Sequence, residues 1–546
     1  MHRGNGIVTG PRGVGLVGLV CWVVAVACGR AGTGPMERAL IPRPAHCVFH
    51  EGRHVLRRDT PVHGAGEART EARQLIEALA PAMGFRLPLV GQEPAEGISL
   101  ALDGGLAEEL GGEGYRLRVD PRRIELRAAR PAGLFHGIQT LRQLLPPEAF
   151  SRRPVAGVDW VLPCVEIIDR PRFAWRGLLV DPARHFIPVE DLKHFIDAMA
   201  VHKFNRLQLH LTDNEGWRLE IRRYPRLAEL GSRNDWTHLW KGGGRTPCFG
   251  YYTREDIAGL VRYAAERHIT LVPEIEMPYH AGAAIVAYPE LGVNTAGLAD
   301  LPPEKRWRRT HGLLAPREST VRFMQEVLTE VIEMFPGPFI HIGGDEANLR
   351  VWARDAEMQA LMKRLGLEGP HELHSWFIRQ MDAFLAGRGR RLVGWDEILQ
   401  GGLAPGATVM SWHGFAGGVT AARAGHDVVM APTSHTYFDY YQGPRDKEPP
   451  AIGGFLRLER VYAFDPLPPE LTGAEARHIL GGQGQLWGEY IATRDHRDYM
   501  AWPRGCALSE TLWSPRGRRD FTEFRRRLRS HLEGLRQAGV GFRPLD

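Results

Sequence analysis

The stretch Phe339-Ile340-His341-Ile342-Gly343-Gly344-Asp345-Glu346-Ala347 constrains this chain more than any other. It starts as an apolar run of strand type and stops abruptly at two glycines followed by two adjacent carboxylates. The helix before it closes at Phe335-Pro336, so the local layout reads helix, tight turn, buried strand, polar terminus. In an α/β barrel the chemistry sits at the carboxyl ends of the strands, and glycine there lets the backbone come close to a ligand. A solvated Asp-Glu pair in a loop is the bland alternative. An ordinary strand end, however, places a turn residue here and does not crowd two acids together.

The same layout repeats along the chain. Leu178 to Val180 form a buried strand whose polar exit is Asp181-Pro182-Ala183-Arg184-His185-Phe186. A helix from Val189 to His202 follows, then an alternating strand that begins at Asn205 and exits at Asp213. Helix Arg254 to Glu266, strand Ile269 to Glu276 and the loop Met277-Pro278-Tyr279-His280 make the next unit. Helix Thr320 to Met334 leads into the opening stretch. A helix at Glu372 to Leu385 precedes strands expected at Arg391 to Glu397, Ala407 to Trp412, Asp427 to Ala431 and near Gly482 to Glu489. Strands alternating with helices predict a parallel (β/α)8 barrel of TIM type over residues 171–540. Residues 41–165 read as a small α+β domain ahead of it. Its features are a helix from Ala72 to Met83 that Pro81 should disturb, strands beginning at Ile98, Tyr115 and Ile124, and a helix with Leu134, Ile138, Leu141 and Leu145 on one side. That domain shows no catalytic constellation, and packing against the barrel is its expected role.

Net charge narrows the function classes. The chain carries +5 formally, but its 69 basic residues are scattered among 64 acids, which argues against a nucleic-acid partner. The densest basic run, Arg516 to Arg529, interleaves with Phe521, Phe524, Leu528, Leu532 and Leu535, a helix with one buried stripe and a solvated arginine face. At the N-terminus, Arg3 and Arg12 precede an apolar run from Val14 to Ala27, the form of an export signal over residues 1–28. Ala25-Val26-Ala27-Cys28 has the shape of a bacterial lipobox, so lipid on Cys28 and ordinary cleavage after Ala27 both stand open. No other stretch is apolar and long enough for a membrane span. The expected location is outside the cytoplasm: periplasmic, extracellular or lipid-anchored to the envelope. Cys47, Cys164, Cys248 and Cys506 are far apart and show no metal-ligand spacing.

Collecting the strand exits gives Arg184, Asp213, His280, Asp345, Glu346, Trp395, Trp412, Tyr437, Asp439, Trp487 and Glu489. Tryptophans beside carboxylates and one arginine suit a neutral sugar, because rings pack on the apolar face of a pyranose while charged groups bind its hydroxyls. The exit histidines form no i, i+4 or His-x-His pair beside an acid, so neither a metal nor a cofactor is expected. A Gly-x-Ser-x-Gly elbow and a phosphate-cradling loop are likewise missing from the sequence. Glycoside hydrolysis usually sets two carboxylates on opposite sides of the scissile bond. Neighbours such as Asp345 and Glu346 diverge from a strand end and fit that division poorly.

His341-Ile342-Gly343-Gly344-Asp345-Glu346 resembles the HxGGDE signature of the β-N-acetylhexosaminidases, glycoside hydrolase family 20. The likeness runs in order from about Pro171 to Ser514, with a weaker match over the preceding domain. It implies an exo-acting enzyme on terminal β-linked N-acetylglucosamine or N-acetylgalactosamine, in chitin fragments or glycans. The family is a substrate-assisted exception to the two-carboxylate rule. By this resemblance Glu346 is the general acid and base, and Asp345 orients the acetamido nitrogen. Tyr437 holds the acetamido carbonyl within walls of Trp395, Trp412 and Trp487. Arg184, Glu489 and Asp439 bind hydroxyls, and Asp213 with His280 tunes the acid. An ion pair of Arg184 with Asp181 is the structural alternative for the arginine. The chain departs from the family pattern at Pro182, Asn214-Glu215, Glu276 and Tyr279, the last adding bulk expected near the site entrance. An inert sugar-binding barrel and release of a disaccharide unit are the competing readings.

Overall fold

The computed structural model describes residues 40–234 and 248–546. The expected export segment with Cys28 lies outside the described residues. Eight parallel strands close into a barrel: β1 (Trp175–Val180), β2 (Arg206–His210), β3 (Thr270–Glu274), β4 (Phe339–His341), β5 (Arg391–Trp395), β6 (Thr408–Ser411), β7 (Val428–Met430) and β8 (Ile479–Leu486). Each pairs with its sequence neighbour, and β8 pairs with β1 along Gly481↔Trp175 to Leu486↔Val180. Every residue of β1 is buried, as parallel strands covered on both faces must be. Helices α3 (Val189–Val201), α4 (Arg254–Ala265), α5 (Glu318–Met334) and α6 (Pro370–Ala386) lie outside, with Leu192, Phe195, Val327 and Phe377 buried. After β8 the chain closes with α7 (Arg504–Trp513) and α8 (Phe521–Gln537). The basic run enters α8 at Phe521 after a short turn at Arg516–Arg518. Phe524, Leu528 and Leu535 are buried as expected, but so is Arg527, which leaves the solvated face to pair with Glu510. No helix among the described residues is long and apolar enough to cross a membrane.

Ahead of the barrel, seven strands form a mixed sheet backed by α1 (Ala68–Met83) and α2 (Pro131–Leu144). Helix α1 runs through Pro81 and ends two residues later. A proline so near the end removes one intrahelical bond and already holds a helical φ, so the expected disturbance does not occur. The sheet also contains two long strands that periodicity does not reveal, His46–Val55 and Val161–Asp169. Their pairing slips between Phe49 and Arg53, and a bulge of this kind breaks the alternation by which strands are read.

The two parts meet through a buried polar cluster at the amino ends of the strands. Asp169 accepts from Tyr115 (2.8 Å), from Lys203 (2.9 Å) and from the Trp513 indole (2.9 Å). Beside it, Arg176 of β1 donates to both oxygens of Glu113, at 2.6 and 3.1 Å. Cys47, Cys164 and Cys506 are not in disulfide bonds.

Candidate active site

All eight strands release their chains toward one end of the barrel, and the exits place Arg184, Asp213, His280, Asp345, Glu346, Trp412, Tyr437, Asp439, Trp487 and Glu489 around one cavity of about 300 Å³. Tyr440 and residues 452–454, from the irregular segment after β7, complete its wall. Trp395 takes a different place. It is 1% exposed, its indole donates to Glu274 Oε1 at 2.9 Å inside the barrel, and it lies beneath Trp487 with ring centroids 5.7 Å apart. A larger cavity, about 560 Å³ between the small domain and the barrel, contains none of the strand-exit residues.

The turn after β4 depends on its glycines. Gly343 has φ +70°, and a Cβ there would collide with the Glu276 carboxyl group. Glu346 itself adopts φ +51°, and His280, which it faces, adopts φ +54°. Non-glycine residues in the left-handed region are uncommon and gather where surrounding structure over-determines them. Here the two strained residues touch: His280 Nε2 lies 3.3 Å from Glu346 Oε2 and 3.5 Å from Asp345 Oδ2. The Glu346 side chain is 56% exposed and sits at the cavity rim, whereas Asp345 is buried.

Behind these acids a chain of charge-assisted bonds runs into the barrel. His280 Nδ1 meets Asp213 Oδ1 at 3.2 Å, and Asp213 Oδ2 accepts from His210 Nε2 and from Arg184 Nη2, each at 2.8 Å. His210 Nδ1 reaches Glu274 Oε2 at 2.7 Å. Burial works against the charge on His280, but Asp213 and Asp345 outweigh it and hold the imidazolium well above its ordinary pKa. Burial likewise opposes the charge on His210, yet Glu274 and Asp181 raise its pKa to about 10. Asp213 is buried too, but Arg184 and His280 keep its carboxyl group well below the usual range. Arg184 pairs with Asp181 at 2.9 Å, as the structural alternative supposed. It also faces Asp213, Glu215 and Glu489 and lies 5.3 Å from the centre of the Trp487 ring.

The sugar-facing side is less satisfied. Asp345 Oδ1, Asp439 Oδ1 and Glu489 Oε2 are buried without a hydrogen-bond partner. Burial and the nearby Glu489 charge push the Asp439 pKa well above the carboxylate range. Burial, Asp439 and Asp345 keep the Tyr437 phenol protonated and thus a donor. Trp412 stacks near Tyr437, centroids 6.2 Å apart and planes 24° from parallel. On the far side of Glu346 a second, more open cavity of about 450 Å³ is walled by Glu397, His371, Arg350, His413 and the same Trp412.

Sequence reasoning did not place His210, Glu274 or Glu397 at the site, and it named Glu215 and Glu276 only as departures from the family pattern. The signal was present for two of them, since His210 and Glu274 are polar residues at the ends of strands whose preceding residues from Leu207 and Leu271 onward are all buried. Glu276 is fully buried with both carboxyl oxygens lacking a partner, and burial together with Asp345 and Glu274 raises its pKa well above normal. Glu397 accepts from the Trp412 indole (3.0 Å) and from the Glu346 backbone N–H (3.3 Å). Burial and Asp345 push its pKa to about 7. Tyr279 does not line the cavity: its ring packs beside His280 and against the cluster that contains Val293, Leu313 and Trp352.

Comparison with known proteins gives a consistent set of likenesses. Residues 173–516 match the glycosyl hydrolase family 20 catalytic domain, and residues 37–170 match domain 2 of that family. A β-hexosaminidase from Porphyromonas gingivalis is 43% identical over 485 residues, 88% of this chain; the chain spans 60% of that relative's length. One from Akkermansia muciniphila is 36% identical, covering 81% of this chain and 87% of its own. The solved structure of the family 20 β-N-acetylhexosaminidase from Streptomyces coelicolor A3(2) superposes with a TM-score of 0.81 at 32% identity, covering 94% of this chain and 99% of that one.

Proposed function

The chain belongs to glycosyl hydrolase family 20, and from that premise we propose that it is an exo-acting, retaining β-N-acetylhexosaminidase that uses the acetamido group of its substrate as nucleophile. The observation that carries this reading is the arrangement of orphaned acceptors. Asp345 Oδ1, Asp439 Oδ1 and Glu489 Oε2 line one small cavity with Tyr437, Trp412 and Trp487, and Glu346 stands at its rim. A cavity of about 300 Å³ is at the small end for ligand sites, which suits one terminal sugar and not a chain threading through.

Each group then has a task set by its surroundings. Trp487 and Trp412 cover apolar faces of the sugar and its acetamido group. Glu489 and Asp439 accept from sugar hydroxyls, and Arg184 donates from a guanidinium fixed by its carboxylates. Asp345 Oδ1 accepts the acetamido N–H, which increases negative charge on the carbonyl oxygen and aligns it for attack on the anomeric carbon. Tyr437 donates to that oxygen and fixes its direction. The glycosidic C–O bond breaks as the oxazolinium ring closes, and Glu346 gives its proton to the departing oxygen. Water then enters from the side of the open cavity beyond Glu346, the carboxylate takes a proton from it, and the ring opens with net retention. His280, held charged between Asp213 and the two acids, keeps both carboxyl groups in position.

The deciding experiment is hydrolysis of chromogenic β-N-acetylglucosaminide, β-N-acetylgalactosaminide and plain β-glucoside side by side, with a thiazoline analogue of N-acetylglucosamine as inhibitor. Turnover of one or both acetamido sugars, strong thiazoline inhibition and negligible glucosidase activity are expected. Brisk cleavage of the plain glucoside would remove the substrate-assisted step, and binding without turnover would leave an inert sugar-binding barrel. Chitin fragments or N-acetylhexosamine-terminated glycans are the proposed natural substrates. Export, with lipid on Cys28 or simple cleavage after Ala27, is proposed from the apolar run Val14 to Ala27. Fractionation of cells expressing the wild type and Cys28→Ala separates the two processing routes.

A further inference from the structure

Three side chains able to ligate a metal converge in the helical layer outside the barrel strands, apart from the residues of the strand-exit cavity. His202 follows the last residue of α3, Cys506 belongs to α7 and His531 to α8. His202 Nε2 lies 2.8 Å from His531 Nε2 and 3.2 Å from Cys506 Sγ, and all three candidate ligand atoms fall within 4.8 Å of one another. His202, Cys506 and His531 are 1%, 0% and 5% exposed. The His202 ring is stacked on Trp502 at 4.4 Å, and the two imidazoles meet edge to face at 4.9 Å.

The tautomer of His202 follows from its other nitrogen. Nδ1 lies 2.7 Å from the Ala198 carbonyl oxygen, which can only accept, so the proton is on Nδ1 and Nε2 presents its lone pair to His531 and Cys506. A backbone carbonyl holding the distal N–H is the arrangement that orients metal-ligating histidines. Glu510, the carboxylate nearest in charge to Cys506, is already occupied by Arg527 at 2.7 and 2.8 Å and by the Tyr462 hydroxyl at 2.9 Å. It neutralises Arg527 and is not available to the cluster.

We propose that His202, Cys506 and His531 form a three-coordinate binding site for monovalent copper. Two neutral imidazoles, one thiolate and Cu(I) sum to zero charge, and a zero sum is what a site without access to water can hold at least cost. Zinc in the same ligands would leave one positive charge buried and would call for a fourth ligand. A thiolate also selects a soft cation. Loading breaks the Cys506 S–H bond and forms S–Cu, with the proton released to buffer. His531 binds through Nε2 with its proton on Nδ1. Copper remains monovalent throughout, so no oxidant or reductant is involved. The two imidazole nitrogens, 2.8 Å apart, must part by roughly 0.7 Å to hold a trigonal ion at about 2 Å from each. A bound ion would tie α3, α7 and α8 together and stabilise the folded chain by mass action.

The test uses the full-length, reduced, metal-free protein under anaerobic conditions, with Cu(I) and Zn(II) supplied in parallel arms against a competing chelator. One copper per chain should survive desalting, Tm should rise by several degrees, and X-ray absorption should show one sulfur and two nitrogen ligands. Zinc should be retained at roughly a tenth of that occupancy or less. Cys506→Ser, a near-isosteric change, should weaken copper retention at least about tenfold and abolish the Tm response; if it folds poorly, His531→Gln should do the same. Failure to retain copper, equal retention by Cys506→Ser, or a preference for zinc would each overturn the proposal.

Discussion

The barrel carries buried charge at both ends, and the two ends are built differently. At the amino ends of the strands, Asp169 receives Tyr115, Lys203 and Trp513, while Arg176 is clasped by Glu113 and by the carbonyls of Phe173 and Lys203. There these side chains all find partners within the protein, a saturated network apart from the Nδ1 of His136, which lies beside Glu113, and its members join the small domain to the barrel. At the carboxyl ends, Arg184, Asp213, His210 and Glu274 form an equally dense network, but it stops at Asp345, Asp439 and Glu489, whose outer oxygens have no protein partner. A polar network with every valence satisfied within the chain serves stability. One left open toward a cavity stores its unsatisfied acceptors for a ligand, at some cost to the fold.

This contrast predicts opposite effects of mutation at the two ends. The largest is at the open end, where Glu346→Gln removes the proton donor. It should lower kcat/KM by about 10²–10⁴-fold on poor leaving groups, less on aryl glycosides with acidic phenols, and leave Tm unchanged. Equal losses on both substrate types would show that Glu346 is not the acid. At the saturated end, Asp169→Ala leaves Lys203 buried without its counter-charge and should cost about 3–5 kcal/mol of stability. Denaturant melts would read that loss, and KM of the surviving folded enzyme should be unchanged; a kinetic effect without a stability effect would erase the distinction between the ends.

Glu489→Gln is a finer probe. Losing a charged acceptor for sugar hydroxyls should reduce kcat/KM by about 10–100-fold, the equivalent of about 1.5–3 kcal/mol. Stability should hold or rise, because burial pushes the Glu489 carboxyl pKa upward in the free protein and Asp181 crowds it further. A clear drop in Tm would mean that Glu489 belongs to the fold as Asp169 does.

The smallest effect concerns pH. The Glu397 carboxyl group titrates at about 7 in the folded chain against an ordinary 4.5. Because the folded state holds this proton more tightly, its contribution is full below about 4.5 and is lost as pH rises toward 7. The Tm of the wild type should therefore decline across that window, and Glu397→Gln should flatten the decline. An unchanged slope would exclude Glu397 as its source.

How much of this could be read without a fold differs between the two ends as well. The strand-exit residues announce themselves, because a parallel barrel buries its strands as mostly apolar runs and polar residues crowd just beyond them. Asp345, Glu346, Trp412, Tyr437 and Glu489 were visible for that reason, while Gln208, His210, Glu274, Gln483 and Gln485 are polar within the buried strands. The saturated end gives no such sign. Asp169, Lys203 and Trp513 are separated by up to 344 residues, and each looks ordinary in its own neighbourhood.

What the amino-acid sequence alone determined was the periodic alternation of elements, hence the closed parallel barrel, and the crowding of chemistry at its strand ends. Those are local properties, written in spacing and residue type. Only the tertiary structure decided the rest: that Trp395 lies under the cavity and not in its wall, that Glu276 is enclosed against Gly343, and that His202, Cys506 and His531 meet. Contacts between elements depend on barrel closure and helix packing, which bring together residues with no relation along the chain, and for such contacts sequence spacing carries no distance.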